Sequence, residues 1–79
     1  MGTKQKPSTG QQRLLRLSQR EMQVLVLVLE GKSTKRIAEV LQLAPSSVDT
    51  YRSRLMAKLE VGNLPELVRF AIRNGVIEL

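Results

Sequence analysis

The chain has 79 residues, enough for one domain and close to the lower limit for a core that sustains itself. Apolar residues reach 42 %, yet with no Trp, one Tyr and one Phe the core must come from Leu, Val, Ile and Ala. The absence of Cys and His excludes disulfide staples and removes the usual zinc ligands and proton shuttles, while a formal charge of +6 suits either a polyanionic partner or a solubilising surface.

Residues 1–16 begin MGTKQKPSTGQQ, rich in Gly, Pro, Ser, Thr, Lys and Gln and without apolar periodicity. They are expected to form a flexible linker or tail, with order beginning between Leu14 and Leu17. This segment carries Lys4, Lys6, Arg13 and Arg16 and no acid. No run approaches the ~18 apolar residues of a membrane span, and the polar start lacks the apolar core of a signal peptide. The expectation is a soluble, cytoplasmic chain with no membrane partner.

The next stretch, VLVLVLEGKST at residues 24–34, reads two ways. It is either a buried strand feeding a phosphate loop or a helix that stops at a glycine. Ser18-Gln19-Arg20-Glu21 has the form of a capping box, and Leu17 and Met22 stand where a hydrophobic staple would place them. About twelve residues then precede Gly31, and Met22, Leu25, Val26 and Leu29 share one helical face. A P-loop needs a glycine five residues before Gly31, where Val26 stands, and no later apolar run ends in a magnesium-binding Asp. The helix is preferred, and with it no enzymatic activity, cofactor or metal is expected.

Ser33 caps a second predicted helix, Thr34 to Leu41, with Ile37, Ala38, Val40 and Leu41 as its apolar stripe. After the short turn Gln42-Leu43-Ala44, Pro45 suits the first turn of a third helix, running to about Glu60 and closed by Gly62. Asn63-Leu64-Pro65-Glu66 restarts the chain with a cap-like signature. A fourth helix then runs from Leu64 to about Asn74, where Gly75 stops it and Val76, Ile77 and Leu79 fold back. The fold class expected is all-α, a four-helix domain over residues 17–79 around a central helix-turn-helix.

The third helix has two faces when wound at about 100° per residue. Val48, Leu55 and Leu59 form the buried stripe, with Arg52 beside it and snorkelling. Ser46, Asp49, Thr50, Ser53 and Ala57 lie opposite, with Ser47 and Arg54 on a flank. These side chains are small, as close approach to a duplex requires, and a merely solvated face would more usually hold Glu, Lys and Gln. Residues 31–58 also carry Lys32, Lys35, Arg36, Arg52, Arg54 and Lys58 against only Glu39 and Asp49. Asp49 is open to three roles: accepting from cytosine N4, excluding wrong sequences by repulsion, or an intrahelical pair with Arg52 or Ser53, of which the last is preferred.

Residues 17–79 resemble the DNA-binding domain of the LuxR/FixJ/NarL family. The resemblance is carried by Leu17-Ser18-x-Arg20-Glu21, by Gly31-x-Ser33-x-Lys35-x-Ile37-Ala38, and by Val48-x-x-Tyr51-Arg52-x-Arg54-Leu55-x-x-Lys58-Leu59. It implies that Asp49, Thr50 and Ser53 face the bases. Lys35, Tyr51, Arg54 and Lys58, with the hydroxyls of Ser33, Ser46 and Ser47, would lie near phosphates. The fourth helix would mediate dimerisation, with Val68, Arg69, Ile72 and Arg73 as its surface, although Val68 and Ile72 also fit a core. Three departures stand out: Ala44 replaces the family's Ser or Thr before the third helix, Ser47 stands where Thr is frequent, and Asp49 stands where relatives often carry a basic or neutral residue. Either Pro45 opens that helix without a capping side chain, or Ser46 caps it later.

The function expected is sequence-specific binding of double-stranded DNA in its major groove, as the output domain of a bacterial transcription regulator. By this resemblance the regulator is a two-component response regulator with a separate N-terminal receiver or sensor domain. A homodimer on DNA is implied, and RNA polymerase is a further candidate partner. The rivals are a sigma-factor region 4-like promoter-binding module and a protein-docking helical module.

Overall fold

The computed structural model describes residues 9–77. They form five helices and no strand: α1 (Gly10–Leu15), α2 (Gln19–Leu29), α3 (Thr34–Leu41), α4 (Pro45–Leu59) and α5 (Leu64–Arg73). The all-α expectation holds, and α2 to α5 are the four expected helices. Leu79, expected in the apolar tail, lies outside the described residues, whereas Val76 does pack against the core.

Local chemistry sets most of the helix ends. Ser18 Oγ accepts from the Glu21 amide at 3.1 Å, and Glu21 Oε1 accepts from the Ser18 amide at 2.8 Å, completing the capping box of α2. Gly31 follows that helix at φ 86°, in the left-handed region that a side chain disfavours, and ends it. The phosphate-loop reading of this stretch therefore falls: the run before Gly31 is helix. Ser33 and Asn63 cap α3 and α5 through the amides of Arg36 and Glu66. Ala44, at the start of α4, makes no side-chain cap, so Pro45 opens that helix unaided.

Three expectations are corrected. Residues 10–15, assigned to a flexible tail, form α1, whose Thr9 and Gln12 make a second capping box. Tertiary contacts hold this short helix: Gln11 Nε2 donates to the Asn74 carbonyl at 2.9 Å, and Arg13 pairs with Glu60 at 3.4 Å. Secondly, α4 is closed by Glu60 itself, left-handed at φ 60°, and not by Gly62, whose amide donates to Glu66 Oε1 at 2.7 Å. Thirdly, Val26 and Val40 are exposed, and Val24 is the fully buried valine of α2.

The core is one cluster in which α4 supplies the central strip. Val48, Leu55 and Leu59 of α4 meet Val24 and Leu25 of α2, Ile37 and Ala38 of α3, and Leu67 and Phe70 of α5. Ala38 is small and buried, as close approach of α3 to α4 requires. Gln42 at φ 58° turns the chain between them, and the Leu43 amide donates back to the Ala38 carbonyl at 2.9 Å. With one side fixed to three helices, α4 has its opposite side left for solvent or a partner.

Candidate nucleic-acid interface

The outward side of α4 carries Ser46, Asp49, Thr50, Ser53, Arg54 and Ala57, all exposed. Six of these side chains include only one long one, Arg54, at the flank. A helix with its side chains is about 10–12 Å across and the major groove about 12 Å wide, so a small-residue face is what lets the backbone enter. Thr50 Oγ1 donates to the Ser46 carbonyl at 3.1 Å, back along the same helix. The intrahelical pair considered for Asp49 does not form: its carboxylate makes no hydrogen bond or ion pair among the described residues.

Arg52 has gone elsewhere. Its Nη2 donates to Thr34 Oγ1 at 2.8 Å, locking α4 to the start of α3, while its Nε is buried with no acceptor. The expected snorkelling is therefore replaced by a tether between the two helices of the motif.

Beside the small-residue face, α4 meets the beginning of α2 across an open groove of about 820 Å³. Tyr51, Arg54 and Lys58 line it from α4, and Gln19, Arg20 and Gln23 from α2. The first three were expected near phosphates and the structure does bring them together. The α2 residues were missed. Arg20 was visible only as part of a cap signature, and nothing local in the sequence reports that α2 begins against the second half of α4. Ser47 is half-buried near the start of α4, while Ser33 and Lys35 are exposed at the start of α3 and do not line this groove.

The floor of the groove holds a charge pair. Lys58 Nζ donates to Glu21 Oε1 at 2.7 Å and lies 3.4 Å from the Arg16 carbonyl. The Glu21 side chain is 3 % exposed and that of Lys58 is 38 % exposed. Burial pushes the Glu21 carboxyl upward, but the Lys58 hydrogen bond and charge and the Ser18 bonds outweigh it and hold the group below its ordinary value. Lys58 thus serves the fold as well as facing the groove. Arg54 and Lys35 form no ion pair among the described residues, so their charge is free for an anionic partner.

On α5, Leu67, Phe70 and Ala71 face the core. Val68 and Ile72 are only half-buried, Leu64 is 54 % exposed, and Arg69 and Arg73 are exposed. Leu64, Val68 and Ile72 follow at intervals of four and make a short apolar stripe beside the two arginines. No helix among the described residues is long and apolar enough to cross a membrane, and no cluster of residues among them could hold a metal ion.

Residues 15–71 match the model of the luxR family of bacterial regulatory proteins. The chain is 45 % identical over 64 residues to the transcriptional regulatory protein FixJ of Azorhizobium caulinodans, covering 81 % of this chain and 30 % of that protein. It is 42 % identical over 69 residues to the DNA-binding transcriptional activator EvgA of Escherichia coli K12, covering 87 % and 34 % of the two. It is 38 % identical over 60 residues to the response regulator UvrY of the same strain, covering 76 % and 28 %. The crystal structure of full-length FixJ from B. japonicum superposes with a TM-score of 0.78 at 38 % identity, over 84 % of this chain and 32 % of that one. The chain spans about a third of the length of these relatives. With the fold, the small-residue face and these matches together, the chain belongs to the LuxR family of bacterial regulatory proteins and is a helix-turn-helix DNA-binding domain.

Proposed function

We propose that this domain is the output module of a response regulator, and that it binds duplex DNA by seating α4 in the major groove. The observation that carries the reading is the pairing of two surfaces on one helix. A thin face of small polar side chains stands next to a groove with Arg20, Arg54, Lys58 and Tyr51 on its walls. Phosphates held in that groove would neutralise charge and fix the register, while Asp49, Thr50 and Ser53 meet base edges. Lys35 and the hydroxyls of Ser33, Ser46 and Ser47 extend the phosphate contacts along the motif. A single module this small binds modestly, so two copies paired through Val68, Arg69, Ile72 and Arg73 on a two-fold site complete the reading. The length of the relatives supports a partner domain that regulates this one, and RNA polymerase is the natural recipient of the output.

Arg54→Ala is expected to weaken binding to cognate and random duplex alike and to lower the slope of log affinity against log salt by about 1. Arg20→Ala should act in the same direction, since it lines the facing wall. Fluorescence anisotropy with a labelled duplex over a salt series checks both. Unchanged affinity of both variants at low salt would remove the groove from the interface.

A further inference from the structure

We infer that the face of α4 selects a cytosine at the base pair met by Asp49, because Asp49 and the adjoining Thr50 offer only hydrogen-bond acceptors there. The inference rests on the reading that α4 lies in the major groove, and it names what that helix recognises there.

Asp49 is exposed, and its carboxylate has no partner among the described residues. The cation one turn away, Arg52, is turned to Thr34 and does not neutralise it. Thr50 has its only proton directed at the Ser46 carbonyl, so toward a ligand it presents lone pairs and a methyl group. No Lys or Arg stands among the exposed residues 46, 49, 50 and 53, so this edge lacks the bidentate cationic contact that reads guanine.

Two adjoining acceptors at positions 49 and 50 need a donor opposite them. In the major groove only cytosine N4 and adenine N6 donate, whereas guanine O6 and N7 and thymine O4 accept. Adenine places the N7 lone pair next to its amino group, where the second carboxylate oxygen would meet it. Cytosine has a C–H at that place, so a carboxylate fits cytosine better. At guanine or thymine Asp49 loses its hydrogen bond, and at every base but cytosine it also faces an acceptor atom within the negative field of the phosphates. One side chain therefore both rewards the right base pair and repels others.

The test is selection of duplexes from a random-sequence library by the full chain and by its Asp49→Ala and Asp49→Asn variants. The wild type is expected to enrich a position occupied by a C·G pair about tenfold over the alternatives. Asp49→Ala should lose preference at that position alone and bind random duplex more tightly, since a negative charge has gone. Asp49→Asn should shift it toward an A·T pair, because an amide matches adenine N6 and N7 together. Thermal unfolding midpoints should stay at the wild-type value, because position 49 is exposed. Identical motifs from all three proteins, or an A·T pair at that position in the wild type, overturn the inference while leaving DNA binding intact. A wild-type chain that retains no duplex at all overturns the DNA-binding reading and this inference with it.

Discussion

Lys58→Ala should lower the unfolding free energy by about 2 kcal/mol, a loss larger than an exposed lysine on a helix would give. Removing one member of a buried ion pair typically costs about 3–5 kcal/mol because the other charge is left unpaired. Lys58 is more than a third exposed, so water that replaces it screens part of that penalty. Glu21 is the member that suffers, since its side chain is almost wholly inside and keeps only the Ser18 bonds. Urea unfolding of Lys58→Ala against Lys58→Arg measures the effect, with the arginine variant close to wild type. The same pair sets a pH dependence. Folded, the Glu21 carboxyl titrates below its ordinary value of 4.5, and unfolded it returns to that value. The folded state therefore binds fewer protons, so the stabilisation is fully present above the unfolded pKa and lost as pH falls through the folded one. Glu21→Gln should flatten that acid limb. An equal acid limb in both proteins, or a Lys58→Ala variant as stable as wild type, contradicts this account of the groove floor. On the proposed reading Lys58→Ala is also expected to weaken DNA binding, so Arg54→Ala, which touches no ion pair among the described residues, is the cleaner probe of phosphate contact.

Leu55→Ala is expected to remove about 3 kcal/mol, by the loss of buried apolar surface and the cavity left behind. Leu55 is completely buried on the strip of α4 that joins the other helices into one cluster. For a chain of this length the whole stability is on the order of 4–12 kcal/mol. A substitution of that size therefore leaves a marginal protein, with a broadened or lost thermal transition. The proposed DNA-binding face should fail together with the fold, because the outward side of α4 has no order independent of its inward one. Calorimetry checks this, and a loss under 1 kcal/mol would mean that α4 is not the central packing element.

The parts of this fold that were legible in the sequence are those fixed by near neighbours. The Ser18–Glu21 box, the Ser33 and Asn63 caps and the left-handed Gly31 each involve residues within four positions of one another. The inward strip Val48, Leu55 and Leu59 was legible because α4 alternates apolar and polar residues at a helical period. In α2 the unbroken Val-Leu run leaves every face apolar, so the sequence alone places Val26 inward, whereas Val24 is the valine that joins the cluster with Ile37 and Leu55. Residues 10–15 looked like a tail because they continue a stretch rich in Gly, Pro, Ser and Thr, and six residues are too few to hold a helix alone. What holds α1 is distant in sequence: Asn74 for Gln11 and Glu60 for Arg13, with Gly10 so close to the Asn74 side chain that a Cβ would collide with it.

The interface divides along the same line. The bare face of α4 could be drawn from one helical wheel. The groove beside it could not, because Arg20 and Glu21 line it opposite Tyr51, Arg54 and Lys58, and the Glu21–Lys58 pair joins residues 37 positions apart. The fate of Asp49 was also tertiary, decided by Thr34 drawing Arg52 away from it. An apolar groove between Met22, Val26 and Leu27 of α2 and Val40 and Leu41 of α3 shares only Gln23 with the groove beside α4. Its position lets the two candidate uses of this domain, duplex binding and protein docking, be separated by location.

The most direct measurement is a map of backbone amide shifts in the full chain as duplex DNA is titrated in at low salt. Binding through α4 predicts the largest changes at Ser46–Ser53, at Arg54 and Lys58, and at Gln19 to Gln23, with all of them receding as salt is raised. Shifts confined to the α2–α3 groove, or a spectrum that duplex leaves untouched, would contradict it.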